Sequence, residues 1–257
     1  MIIKVKYSMK PMANILFRIF AKFKVLIFNK EDNKWQNYPV IINNFNRLEF
    51  LKQQINWLEK AGMKNIYIID NKSNFPPLLK FYKKTKYTVF KLNQNVGHLA
   101  LWKTHIYKWF KNTYYIYTDP DIIPVEECPL NAVEYFKSIL DKYPEIGKVG
   151  FALKIDDLPD YFPLKQKVIE WESKFWEETI EKDIYKALID TTFALYRPNI
   201  KGDHTLTALR TGGNYTARHL PWYINYKYLS LEEKYHSQHA SNASSWNQEL
   251  KKNGSRY

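Results

Sequence analysis

The chain has a single cysteine, Cys128, among 257 residues, so no disulfide can form within it and too few thiolates are present for a structural zinc site of the usual kind. That scarcity suits a reducing compartment, and the cytoplasm is the expected location. No apolar run approaches the roughly 20 residues that cross a bilayer, and the N-terminus lacks an apolar core with a small-residue cleavage site. The expectation is a protein that neither spans a membrane nor is secreted. Acidic residues are few beside basic ones, 26 against 39, which leaves a formal charge of +13. Such a field attracts phosphates, anionic lipid surfaces or nucleic acid, and it equally describes a lysine-rich solvated surface. No internal repeat is visible, which leaves out repeat architectures.

Aromatic side chains are what the sequence has in excess: they make up 17% of it, with 20 Tyr and 8 Trp. That is more than packing requires, so some are expected to line a surface or cleft of the kind on which sugars or bases stack. The length suits one α/β domain of generous size.

Residues 1–35 interleave Lys4, Lys6, Lys10, Arg18, Lys22 and Lys24 with Ile15, Leu16, Phe17, Ile19, Phe20, Phe23, Leu26 and Phe28. A basic amphipathic helix of this type can lie in a membrane interface with its cations at anionic headgroups. This would give peripheral contact with the inner membrane face. The same pattern also fits an ordinary helix packed on the domain, or a strand at 25–28.

From Pro39 onward short apolar runs alternate with helical periodicity. Residues 40–43 read as a buried strand, and 47–61 as a helix with Leu48, Leu51, Ile55 and Leu58 on one face, stopped by Gly62. Strands follow at 66–69, 87–92 and 114–118, with a helix at 76–84, a loop at 93–97 and a helix running to Trp109. Further on, 131–143 reads as helix, 148–154 as strand, 161–186 as a stretch containing a helix, and 192–196 as strand. The residues from Gly202 are rich in Gly, Asn, Ser, His and Tyr and read as loops over a site. Strands and helices in alternation argue for a mostly parallel sheet flanked by helices, whose ligands bind at the carboxyl ends of the strands.

The sharpest chemical feature is Asp119-Pro120-Asp121 at the end of the 114–118 strand. Two carboxylates one residue apart can both address a hard divalent cation that keeps open positions for phosphate oxygens. Such a cation offsets the charge that builds on a departing diphosphate.

Four features in order make residues 38–225 resemble the GT-A type of nucleotide-sugar glycosyltransferase. They are Asn43-Asn44-Phe45-Asn46-Arg47 after the first strand, Asp70-Asn71-Lys72-Ser73 after the second, Asn93-Gln94-Asn95-Val96-Gly97-His98 after the third, and Asp119-Pro120-Asp121 after the fourth. The resemblance implies a single α/β domain of Rossmann-like GT-A type at 36–225 with a loop-rich C-terminal part. A tail at 226–257 would pack on or near the active site. It also implies transfer of a hexose-type unit from a nucleotide diphosphate sugar, UDP-sugar first, to a glycan or lipid-linked acceptor of the cell envelope. The cofactor would be Mn2+ or Mg2+. Asn44, Arg47, Asp70, Asn71, Gly97, His98, Lys103 and Asp119 would serve the donor, with Arg47 near the base. Asp119 and Asp121 would hold the metal, joined by a C-terminal histidine, for which His219 is preferred over His204, His236 and His239. Asp190 is the first choice for a catalytic or sugar-contacting carboxylate, with Asp156 and Asp157 as further candidates for the base. Arg197, Arg210 and Arg218 are candidates for offsetting phosphate charge. The chain departs from the family pattern in lacking a Glu-Asp pair where many inverting members carry their base, so stereochemistry stays open.

A nucleotidyltransferase-like enzyme would need a glycine-rich phosphate loop, and the first loop here, 43–47, has no glycine. A noncatalytic carbohydrate-binding protein remains an alternative. A nucleic-acid-binding module would use the charge and the aromatics, but acidic strand ends would repel a backbone. No nucleic-acid partner is expected.

Overall fold

The computed structural model describes residues 1–5, 34–202 and 207–239. Most of the basic amphipathic segment, His204 and the last residues of the tail lie outside the described residues. Residues 2–5 of that segment do not belong to a helix, because they form a sheet strand.

In chain order the strands are β1 (Ile2–Val5), β2 (Val40–Asn44), β3 (Ile66–Asp70), β4 (Thr88–Leu92), β5 (Tyr115–Thr118), β6 (Ile122–Pro124), β7 (Lys148–Leu153), β8 (Thr179–Glu181), β9 (Ile184–Lys186), β10 (Ala194–Tyr196) and β11 (Ala208–His219). They form one sheet in the order β1-β4-β3-β2-β5-β10-β7-β11-β9-β8, with β6 paired to β11. Strands β2 to β5 thus run 3-2-1-4, the order of a doubly wound sheet. From β1 across to β11 all strands point one way except β10, which is antiparallel to both β5 and β7. The carboxyl ends of β2, β3, β4 and β5 therefore share one edge.

Helices cover both faces: α1 (Glu49–Lys60), α2 (Pro76–Lys84), α3 (Ala100–Lys103), α4 (Ala132–Lys142), α5 (Lys165–Ser173) and α6 (Leu231–His239). Side chains alternate across a strand. Val40, Ile42, Ile66 and Ile68 pack with Leu51, Ile55, Leu58, Leu78 and Phe136 of α1, α2 and α4. Ile41, Tyr67 and Ile69 pack on the opposite face with Leu101, Ile106, Tyr107 and Phe110. Leu51, Ile55 and Leu58 lie one helical turn apart, which is why this segment is helical and buried on that stripe. Its end is set by Gly62 at φ 77°, with the Met63 amide donating to Leu58 O at 2.9 Å.

The structure departs from expectation in several places. The helix expected to reach Trp109 breaks at Thr104, which is extended, and resumes as a 3-10 turn over His105–Trp109. The stretch 161–186 contains a helix as expected, α5, and adds the β8–β9 hairpin after it. The residues after Gly202 are not all loop: β11 is the longest strand, at 12 residues, and it pairs with β6, β7 and β9. Asp190 lies in the irregular segment between β9 and β10. Several of the surplus aromatics line no cleft, because Tyr82, Tyr115 and Tyr117 are among the largest fully buried side chains.

Candidate active site

The segment after β5 is placed from two sides. From α1, the buried Gln54 amide donates to Thr118 Oγ1 at 3.0 Å, to Asp119 O at 2.8 Å and to Ile122 O at 3.0 Å. From β11, antiparallel pairing sets His219 opposite Ile122, and the Leu220 amide donates to Asp121 O at 2.9 Å. A residue far along the chain is thereby brought beside the Asp-x-Asp turn: His219 Nε2 is 3.7 Å from Asp121 Oδ2. Gln54 was not expected in the site. A glutamine amid Leu51, Ile55 and Leu58 reads from sequence as the polar edge of a helix, and only its burial reveals the clamp.

The two aspartates divide their tasks. Asp119 Oδ2 accepts from Thr191 Oγ1 at 2.5 Å. Burial, and then the charge of Asp121, holds the Asp119 carboxyl well above the usual carboxylate range, with Asp190 adding to the repulsion. Asp121 Oδ1 is buried and has no hydrogen-bond partner. His219 Nδ1 is likewise without one, and burial keeps the imidazole below its ordinary pKa despite the nearby Asp121. A neutral imidazole offers a lone pair to a metal.

This donor set fits a divalent cation. A gap of 3.7 Å is too long for a hydrogen bond and shorter than two metal–ligand bonds of about 2.1 Å each, and it lies beside an orphaned carboxylate oxygen. Asp121 and His219 are the residues able to hold the ion, with Asp119 next to them. Among the described residues no three such side chains already converge on one point.

At the neighbouring strand ends, Asp70 is buried at the end of β3. Its Oδ1 accepts from the Ser73 amide at 2.9 Å, its Oδ2 has no hydrogen-bond partner and lies 3.7 Å from Lys91 Nζ. Burial raises its pKa. The loop after β4 is shaped by its neighbours. Asn71 Nδ2 donates to Gly97 O at 2.9 Å, Asn71 Oδ1 accepts from the Val96 amide at 2.8 Å, and Asn95 Oδ1 accepts from the Gly97 amide at 2.9 Å. Lys103 Nζ donates to Val96 O at 3.2 Å. Asn71 and Lys103 therefore hold the loop itself. Gly97 adopts φ 81°, and a Cβ there would meet nothing within 4 Å, so backbone conformation explains the glycine. His98 is exposed, and its carbonyl accepts from Tyr117 Oη at 2.5 Å. The Asn44 side chain is engaged within the fold, donating to Tyr82 Oη at 2.8 Å. Arg47 is buried, 7% exposed, and feels the charges of Asp121 and Glu232.

Asp190 is exposed and borders a shallow recess with Trp102, Lys148, Thr191 and Tyr196. Two buried cations hold the backbone leading to it: Lys148 Nζ donates to Ile189 O at 2.5 Å, and Arg210 Nε to Leu188 O at 2.8 Å. Asp156 and Asp157 lie elsewhere in role. Asp156 is exposed and paired with Lys154 at 2.8 Å. Asp157 accepts from Arg218 Nη2 at 2.6 Å and Tyr223 Oη at 2.5 Å. Burial would raise its pKa, but the Tyr223 and Arg218 hydrogen bonds outweigh that and lower it, so it makes a weak base. The three arginines considered for phosphate are engaged within the fold. Arg197 binds Ile146 O at 2.6 Å, Arg210 pairs with Glu172 at 2.8 Å, and Arg218 is held by Asp157.

The tail joins this edge. Glu232 of α6 caps α1, its Oε2 accepting from the Leu48 amide at 2.6 Å and the Glu49 amide at 3.0 Å. Tyr235 Oη donates to Asn74 O at 3.2 Å.

A 3-2-1-4 parallel sheet thus ends in an Asp-x-Asp turn that an antiparallel strand pairing joins to a C-terminal histidine. The fold is a mostly parallel α/β sheet flanked by helices. Among solved structures, the chain is similar to glucosyl-3-phosphoglycerate synthase from Mycobacterium tuberculosis in complex with phosphoglyceric acid, at 11% identity and a TM-score of 0.40, over 76% of this chain and 64% of that one. It is also similar to GalNAc-T7 with UDP, GalNAc and Mn2+, at 14% identity and a TM-score of 0.47, over 86% of this chain and 54% of that one. The chain spans less than two thirds of the length of either. No protein-family model matches the sequence, and neither does any curated protein. Among the described residues no helix is long and apolar enough to cross a membrane.

Proposed function

We propose that the chain is a metal-dependent glycosyltransferase that moves a hexose-type unit from a nucleotide diphosphate sugar, UDP-sugar first, to a hydroxyl of a glycan or lipid-linked acceptor. The observation that carries this reading is the meeting of Asp121 and His219 beside an unpartnered carboxylate oxygen, at the edge where β2, β3, β4 and β5 all end. Ligands of doubly wound sheets bind at that edge.

In this reading Asp70 serves the nucleoside end of the donor, and the backbone around Gly97 lies against the donor. Asp121 and His219 hold a divalent ion, Mn2+ or Mg2+. When bound, such an ion would supply Lewis-acid stabilisation to the departing diphosphate, as the bond between the anomeric carbon and the phosphate oxygen breaks and the new glycosidic bond forms. Thr191 keeps Asp119 turned beside the ion. The sugar lies on the side of the site where Trp102 and Asp190 meet, and the exposed Asp190 takes the proton from the acceptor hydroxyl. The 36–225 region is the catalytic domain, and α6 closes its nucleotide end. The basic amphipathic composition of residues 1–35 supports an acceptor at the inner face of the cell envelope.

A panel of nucleotide sugars and nucleoside diphosphates, each with manganese, with magnesium and with EDTA, tests the reading by thermal shift and by release of the nucleoside diphosphate. One donor should stabilise the protein by several degrees with metal and be turned over when acceptor is present. Absence of any nucleotide binding, with or without metal, overturns it.

A further inference from the structure

We infer that Asn46 is the positioning residue for the nucleoside end of the donor site, and that α6 holds it in that role. The inference rests on the reading of the chain as a nucleotide-sugar enzyme with Asp70 serving the nucleoside. It adds the residue through which the loops after β2 and β3 become one surface.

Asn46 is fully buried and adopts φ 52°, a left-handed conformation that asparagine tolerates better than most residues. Both polar atoms of its side chain serve the other loop. Oδ1 accepts from the Asn74 amide at 2.8 Å and the Phe75 amide at 3.0 Å, and Nδ2 donates to Asn74 Oδ1 at 2.9 Å. The Asn46 amide donates to Ser73 Oγ at 2.9 Å, and the Ser73 amide donates to Asp70 Oδ1 at 2.9 Å. Asn46 is thus joined to the Asp70 carboxyl through Ser73 alone. A buried network whose members are satisfied rigidifies what it spans.

α6 lies across the same seam. Helix α1 starts after Leu48, whose side chain makes no cap. The amides of Leu48 and Glu49 are met instead by Glu232 Oε2, at 2.6 Å and 3.0 Å. On the other loop, Tyr235 sets its ring 4.9 Å from that of Phe75 and donates from Oη to Asn74 O at 3.2 Å. His236 meets the Phe45 ring edge-on at 6.1 Å. One helix therefore grips Phe45, Leu48 and Glu49 after β2 and Asn74 and Phe75 after β3, with Asn46 between them. Loops held in place beforehand cost a ligand less to order.

Calorimetry of the nucleoside diphosphate found by the panel above, with manganese, tests this on the full chain. Asn46→Gly keeps a backbone free to adopt φ 52° and removes the side-chain bonds, so affinity should fall roughly 10-fold. Glu232→Ala should act in the same direction, whereas Glu232→Gln, which retains an oxygen for the two amides, should restore wild-type binding. Tyr235→Phe loses only the bond to Asn74 O and leaves the buried Asn46 untouched; it should weaken binding by a smaller factor. Hydrogen exchange should quicken at 70–75 in Asn46→Gly and Glu232→Ala and keep the wild-type rate at 119–122, as loosening of the nucleoside end alone requires. Wild-type affinity in Asn46→Gly overturns the role of Asn46, and wild-type affinity in Glu232→Ala and Tyr235→Phe overturns that of α6. Either result leaves the enzymatic reading standing. Equal quickening at 119–122 marks a general loss of fold and overturns the positioning role as well. Failure of wild-type protein to bind any nucleoside diphosphate, with or without metal, overturns both the inference and the reading beneath it.

Discussion

His219 Nε2 sits 3.7 Å from Asp121 Oδ2, and the register that sets Ile122 against His219 fixes that separation. The pair is therefore a product of backbone pairing between β6 and β11, with no hydrogen bond between the side chains to hold it. Burial disfavours the charged imidazolium of His219, and a neutral imidazole that turned its Nε2 lone pair to the Asp121 carboxylate would form with it an arrangement a divalent cation could complete.

The first prediction follows directly. Asp121→Asn and His219→Ala should each weaken manganese-dependent nucleotide binding by more than the roughly 10–100-fold that loss of a supporting partner brings. Tm in EDTA should not fall for Asp121→Asn, because Oδ1 has no hydrogen-bonded partner to lose and the charge removed is one that repels Asp119. Equal manganese dependence in wild type and both variants, read by calorimetry, would rule out this pair as the metal site.

A second prediction concerns the clamp from α1. Gln54→Leu keeps the volume but leaves Thr118 Oγ1, Asp119 O and Ile122 O without their shared donor. Unmet buried acceptors cost about 1–3 kcal/mol. Amide exchange should accelerate at 119–122 well before it does in α1 itself. Uniform acceleration across the domain would mean that Gln54 supports the core and not the turn.

These two features differ in how far the sequence announces them. The four strand ends were legible because each apolar run is short, β-branched and followed at once by polar residues, as in Ile66–Asp70 and Tyr115–Thr118. The helix at Pro76–Lys84 was read to the residue, since proline opens it and Lys83 and Lys84 end it. β11 was hidden because Gly212, Gly213 and Asn214 interrupt its alternation. Gly213 takes φ 57°, and the pairing with β7 shifts register between Thr211 and Thr216. Asn44 could not be assigned a face from sequence: it lies in a strand buried throughout, where alternation of polar and apolar residues disappears. Gln54 and Glu232 were missed for a common reason. Each satisfies backbone groups distant in sequence, and periodicity carries no trace of such partners.

The third prediction addresses Lys148, 3% exposed, whose Nζ holds the carbonyl of Ile189 beside Asp190. Lys148→Met retains the aliphatic stem and removes the tether. Turnover should fall while KM for the donor stays close to wild type, since the residue positions the proposed base and does not touch the nucleotide. A parallel loss of donor affinity would show that the recess as a whole had collapsed, and would remove the positioning role.

The last prediction rests on Asp119. Its folded-state pKa is raised by burial and by Asp121 above the 3.8 of an ordinary aspartate. Between that value and the raised one, the folded chain holds a proton that the unfolded chain has released. The associated stability is present at low pH and is lost as pH rises through the folded pKa. Above the ordinary aspartate value, with no metal present, the buried carboxyl is thus a liability to the fold. Asp119→Asn removes the charge and keeps an oxygen able to accept from Thr191. The variant should match wild type near the bottom of the carboxylate range and exceed it increasingly above. At pH 8 in EDTA a gain on the order of 1 kcal/mol corresponds to roughly 2–4 °C in Tm. Saturating manganese should shrink the difference, because a cation at Asp121 and His219 offsets the same repulsion in the wild type. A variant less stable than wild type at every pH would mean that the Thr191 hydrogen bond, and not charge repulsion, dominates at this position.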